Sequence, residues 1–120
     1  MTATMDALAK VPLFKDLNQK SLERIEKFAR PRHFGAGDTV FSEGDEGVGF
    51  FLITSGKVEA TRGGTVLNRL GAGEFFGEMA LLDGYRRSAT VKAVESTDCL
   101  ALMRSDFLAE IRNNVDLALE

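Results

Sequence analysis

The hydrophobic pattern of this chain changes period twice. Near the start, Met5 and Leu8 stand one helical turn apart, and Pro12 stops the helix they define. Val11-Pro-Leu-Phe14 reads as an apolar connector. Asn18 is placed to cap a second helix, with Leu22, Ile25, Phe28 and Ala29 along its apolar stripe. Pro31 ends that helix, because the residue before a proline is pushed out of the α region. From there the pattern becomes that of short strands. Thr39–Phe41 is a strand after the turn Gly35-Ala-Gly-Asp38, and residues 43–49 form a glycine-rich loop. Phe50–Thr54 and Lys57–Thr61 flank Ser55-Gly56, which predicts a tight hairpin. Gly63-Gly64 makes a second turn into Val66–Leu70, since paired glycines tolerate the positive φ that primed turns need. Gly71-Ala-Gly73 breaks the chain again, and Ser88–Ala93 and Thr97–Met103 follow as strands. The helical period then returns. Ser105 is placed as the cap, Asp106 suits a helix N-terminus, and Leu108, Ile111, Val115 and Leu119 repeat along one face.

Short strands at regular spacing with glycine-rich turns indicate a sandwich or barrel, here mainly β with flanking α-helices. The 120 residues carry no linker and no repeat, so a single domain over 1–120 is expected. It divides into N-terminal helices (1–30), a β region (31–104) and a C-terminal helix (105–120). The last apolar stripe is still running at Glu120. That pattern implies a chain cut from something longer, or a helix completed by a partner, homodimerisation included; simple fraying is the plain alternative.

Composition narrows the function classes. At 44% apolar and 28% charged, the chain can fill one core without staples. No apolar run approaches the ~18 residues of a membrane span, and Met1–Asp6 lacks the basic start of a signal peptide. The single cysteine, Cys99, lies in an apolar run and reads as a buried structural thiol. These features together fit a cytoplasmic protein. The single histidine, His33, has no second ligand at metal spacing, so a metal site and a Ser-His-Asp triad are both disfavoured and His33 reads as a surface or strand-edge residue. A net charge of −3 disfavours general attraction to nucleic acid or anionic lipid. An anion bound here must be held by local groups.

Such groups stand together in residues 76–91, FGEMALLDGYRRSATV. Glu78-Met-Ala-Leu-Leu82 are helix formers, and Asp83-Gly84 stops them after little more than one turn. A helix this short is nearly all terminus. The free N–H groups from Gly77 to Ala80, including that of Met79, can receive an anion. Gly77 removes a side chain where a ligand would come close. In the following strand Ala89, Val91 and Ala93 share one face, and that parity aims Arg87 inward and Arg86 outward. An inward arginine needs an acid or a bound anion, and its fork matches phosphate oxygens. Glu78 conflicts with a bare anion but not with a ligand that also carries hydroxyls, as a ribose phosphate does. Alternatively, Glu78 caps its own helix and Arg87 pairs with Glu78 or Glu74.

Phe76-Gly-Glu-Met-Ala-Leu-Leu82 followed by Arg87-Ser-Ala-Thr-Val91 resembles the phosphate-binding cassette of the cyclic nucleotide-binding domain. That family includes the catabolite activator protein, the regulatory subunits of protein kinase A and the cyclic nucleotide-gated channels. Phe34–Asp45 and Phe50–Glu59 resemble its early strands and central hairpin, and Pro12-Leu-Phe14 its N-terminal helices, so the likeness runs over roughly residues 8 to 118. The resemblance implies an eight-stranded β-roll, or jelly roll, with a short cassette helix. It implies a regulatory module, not an enzyme, whose ligand is a 3′,5′-cyclic nucleotide. Glu78 with the Gly77 backbone would hold the ribose 2′-hydroxyl. Arg87 would pair with the cyclic phosphate, supported by Ser88, the Ala89 N–H and the short helix. Ser88 faces outward by strand parity, so its role requires a bent start to the strand. Ala60, Asn68 and Leu70 match positions that line the base pocket. Serine at position 88 occurs in bacterial cAMP receptors, which favours cAMP over cGMP. In relatives a further helix covers the base; the 120 residues stop before it, and if they were the whole protein the base would be covered by a partner or left partly open. The effector is not legible, and the alternative is an interaction module of the same fold that no longer binds nucleotide.

Overall fold

The computed structural model describes residues 3–12, 14–15, 17–45, 49–77 and 87–113. Helices α1 (Ala3–Ala9) and α2 (Gln19–Phe28) lead into strands β1 (Arg30–Phe34), β2 (Thr39–Phe41), β3 (Gly49–Ser55), β4 (Lys57–Arg62), β5 (Thr65–Gly71), β6 (Phe75–Phe76), β7 (Thr90–Ala93) and β8 (Thr97–Met103), and α3 (Arg104–Asn113) follows. The strands form two four-stranded antiparallel sheets, ordered β1-β8-β3-β6 and β2-β7-β4-β5. This is the expected mainly β roll with flanking helices. No described helix is long and apolar enough to cross a membrane.

The first sheet is covered on both faces, which explains the unbroken apolar run of β3. Alternation along β3 sends Phe50 and Leu52 to a cluster with Met5, Leu8, Val11, Phe14, Leu22, Ile25, Leu102 and Phe107 under the helices. It sends Phe51 and Ile53 to a second cluster between the sheets, with Phe34, Val58, Val91, Ala93, Cys99 and Ala101. Burial raises the Cys99 thiol to about 11, with the Asp98 charge acting the same way. The unfolded chain ionises this thiol first, so its contribution to stability is present below about pH 9 and declines as pH rises toward 11. The folded protein should therefore leave Cys99 unreacted with a disulfide reagent at about pH 8, and denaturant should release one thiol. Rapid labelling of the folded chain would contradict the burial.

Asn18 caps α2 as expected, its side-chain oxygen accepting from Ser21 N–H at 2.8 Å. The helix ends at Phe28, and Ala29 is already extended at ψ 135°. The chain then continues directly into β1, which the hydrophobic pattern does not announce. Four of its five side chains are exposed, and Pro31 is tolerated because β1 is an edge strand paired only with β8. His33 sits on that edge, opposite Asp98. Its Nδ1 lies 2.8 Å from Asp98 Oδ1, and Ser55 Oγ donates to Asp98 Oδ2 at 3.0 Å. These hydrogen bonds hold the Asp98 carboxyl below the usual range, the one from His33 foremost. Serine and histidine both meet the aspartate and not each other, so no triad-like proton relay is assembled.

Two expectations about α3 need correction. The helix begins at Arg104, so Ser105 lies within its first turn and does not cap it. Its buried apolar residue, among those whose side chains are described, is Phe107, whose ring centroid is 5.7 Å from that of Phe14; Leu108 is half-buried. Phe107 and Glu110, one helical turn apart, set the inward face, and Leu108 lies to one side of it. Val115, Leu119 and the side chain of Ile111 lie outside the described residues. Glu110 is buried beside Arg24 of α2, at 3.4 Å.

Candidate functional site

Two separated segments meet at one end of the roll. Strand β6 runs into Gly77, and Arg87 opens the approach to β7. Gly77 has φ +81°, in the left-handed region that favours glycine. A Cβ there would lie 2.7 Å from Arg87 Nη1 and 2.8 Å from the Gly49 carbonyl. Glycine is therefore required, for a reason that differs from the one read in the sequence. What comes close to Gly77 is the guanidinium of Arg87.

Arg87 is half-buried, in agreement with strand parity. Its Nη2 donates to the Gly49 carbonyl at 2.5 Å, and its guanidinium carbon stands 4.0 Å from the centroid of the Phe41 ring. Phe41, Phe76 and Phe51 form an aromatic floor, the last two stacked at 5.1 Å. Among the described residues, the buried Nε of Arg87 has no hydrogen-bond partner. Burial lowers the Arg87 pKa, and the charge of Asp45 partly opposes this. Asp45 reaches the arginine by its backbone, accepting from Arg87 N–H at 2.7 Å, while Gly44 N–H donates to the Arg87 carbonyl at 2.8 Å. The Asp45 carboxylate accepts instead from Ser42 N–H. Glu74 accepts from Gly71 N–H at 2.9 Å, within its own turn. Among the described residues, Arg87 has no ion pair.

A cation desolvated on one side, backed by aromatic rings and holding one neutral oxygen, is prepared to receive an anion. Its unpartnered Nε is a buried donor that an anion can satisfy.

The chain bends at Ser88-Ala89 before β7 begins at Thr90, which supplies the bent start that a role for Ser88 requires. Ser88 is exposed and Ala89 half-buried. Ala60 and Asn68 are direct cross-strand partners, as are Val58 and Leu70, so Ala60, Asn68 and Leu70 share one face of the β4–β5 hairpin. Ala60 also pairs with Val91, which sets that face beside β7. Glu78, Met79, Ala80 and Arg86 lie outside the described residues. Sequence reading missed Gly49 and Phe41, the two partners of the Arg87 guanidinium. A carbonyl leaves no trace in residue identity, and Phe41 read only as a strand residue.

Comparison with known proteins places this geometry. Residues 31–114 match the family model of the cyclic nucleotide-binding domain. The chain is 43% identical over 106 residues to the cyclic AMP receptor protein of Thermus thermophilus, covering 84% of this chain and 49% of that protein. It is 44% identical over 101 residues to a cyclic nucleotide-gated potassium channel of Rhizobium etli, covering 83% of this chain and 28% of the channel. The chain thus spans about half the length of the first relative, or less of the channel. Among solved structures, the N-terminal domain of a transcriptional regulator from Streptomyces coelicolor superposes with a TM-score of 0.87 at 29% identity, covering 95% of this chain and 85% of that one. A cyclic nucleotide-binding-like protein from Brucella abortus shares the fold, with a TM-score of 0.86 at 23% identity and coverage of 92% and 99%.

Proposed function

Since the chain belongs to the cyclic nucleotide-binding domain family, we propose that it is a regulatory, non-catalytic module that binds a 3′,5′-cyclic nucleotide, cAMP in preference to cGMP. The observation that carries this reading is Arg87, a half-buried guanidinium with an unpartnered Nε and no carboxylate partner among the described residues. The cyclic phosphate would supply the missing acceptor, assisted by Ser88, the Ala89 N–H and the N–H groups of Met79 and Ala80. Glu78 and the Gly77 backbone would take the ribose 2′-hydroxyl. The base would lie along Ala60, Asn68 and Leu70.

The signal would leave through α3. Arg87 donates to the Gly49 carbonyl, Gly49 pairs with Met103, and Arg104 opens α3. Ligand that draws the guanidinium toward phosphate changes what Gly49 holds, one strand pair away from the start of that helix. Such a shift is driven only by the ligand's different affinity for the two arrangements.

Calorimetric titration of one preparation with both nucleotides tests the reading. Tighter binding of cAMP is expected, tighter binding of cGMP would reverse the base assignment, and no binding at millimolar concentration would favour an interaction module. Gly77→Ala should weaken cAMP binding about thirtyfold, because the added Cβ takes the space of Arg87 Nη1 and strains the backbone. Wild-type affinity in that variant would show that the close approach at Gly77 does not matter for binding.

A further inference from the structure

We infer that Arg62 is a positioning residue of the anion site, which orients the Ser88–Ala89 peptide so that the Ala89 N–H faces a phosphate oxygen. This rests on the functional reading above. Arg62 closes β4 and pairs with Thr65 across the Gly63-Gly64 turn. Its Nε donates to the Ser88 carbonyl at 2.9 Å. That carbonyl and the Ala89 N–H belong to one planar trans peptide and point in opposite directions. Holding the oxygen therefore aims the N–H. The preceding peptides are held from the other side, through Arg87 N–H to the Asp45 carbonyl and Gly44 N–H to the Arg87 carbonyl. The bend at Ser88-Ala89 is thus gripped by a loop and by a hairpin tip.

The tip itself is braced to that loop. Gly63 N–H donates to Glu43 Oε1 at 3.4 Å, and Glu43 N–H donates to Thr90 Oγ1 at 2.9 Å. Arg62 has no carboxylate partner among the described residues, so its charge is spent on a neutral carbonyl. A cationic donor on a carbonyl polarises the peptide and strengthens the N–H at its far end as a donor. Arg62 lies 25 positions before Arg87 in the chain; the β4–β7 pairing, with Thr61 opposite Thr90, brings it beside the bend, and its hydrogen bond to Ser88 extends that pairing into the site.

Titration calorimetry of the full chain tests this. Arg62→Ala should bind cAMP about tenfold more weakly, and Arg62→Lys should recover part of the loss by keeping a cationic donor. The two phosphorothioate diastereomers of cAMP separate positioning from general destabilisation, because each replaces one exocyclic oxygen by a poor acceptor. Arg62→Ala should weaken one diastereomer as it weakens cAMP and leave the other, which lacks the oxygen served by Ala89, nearly unchanged. Unaltered cAMP affinity in Arg62→Ala, or equal losses for both diastereomers, would overturn the inference alone. Absence of cyclic nucleotide binding by the wild-type chain would overturn the functional reading and this inference together.

Discussion

Arg87→Glu should reduce cAMP affinity at least about a thousandfold, roughly 4 kcal/mol, in a calorimetric titration. The substitution removes the fork that would meet the phosphate and puts a like charge in its place, inside a site walled by Phe41, Phe51 and Phe76. Binding within a few-fold of wild type would remove Arg87 from the site. The two-sheet fold should survive, but not untouched. Arg87 also donates to the Gly49 carbonyl and lies over the Phe41 ring, and losing both contacts costs about 2 kcal/mol, or several degrees in melting temperature. Melting curves recorded beside the titrations keep loss of binding distinct from loss of fold.

These contacts sharpen what the arginine does. On the proposed reading, phosphate would not enter an empty place but would compete for a guanidinium that already holds a backbone oxygen of β3. Gly49 is the first residue of that strand and faces Met103, the last residue before α3. The site and the helix therefore share a strand pair, and the physical content of the proposed switch is a change of partner at one carbonyl.

Much of this was legible in the chain because the relevant signals are local. The caps and breakers of α2, the strands Thr39–Phe41 and Thr97–Met103, and the inward parity of Arg87 follow from residue type and period. Strand β1 was not legible because its exposed side chains carry no alternation, and β6 because two residues are too few for a period. The packing of α3 on Phe107 depends on where β8 hands over to the helix, which periodicity locates only within a residue or two. In the site, Gly77 and Arg87 stand out by type. Gly49 and Arg62 do not, because each acts through a hydrogen bond between segments that the chain brings together only by folding.

Gly56→Ala should cost about 3 kcal/mol of stability, read as a lower urea midpoint at unchanged slope. Two terms add. Gly56 has φ +94°, where an L side chain is strained. An added Cβ would also press on the Ser96 carbonyl and lie 2.6 Å from Thr97 Cα. Those atoms cannot yield, because Thr97 is fully buried and fixed on every side. Its hydroxyl donates to the Glu95 carbonyl at 2.8 Å, accepts from Lys57 N–H at 3.1 Å and lies 3.1 Å from the Lys57 carbonyl. The Ser55-Gly56 hairpin is thus pressed against the start of β8, and the register of β3 on β8 shifts there, between Ile53 and Ser55. Gly63→Ala is the matched control. Gly63 also has positive φ, +57°, but an added Cβ there meets nothing within 4 Å, so only backbone strain of about 1 kcal/mol is expected. If the two variants lose equal stability, close packing of Gly56 on Thr97 contributes nothing, and positive φ alone explains the glycine.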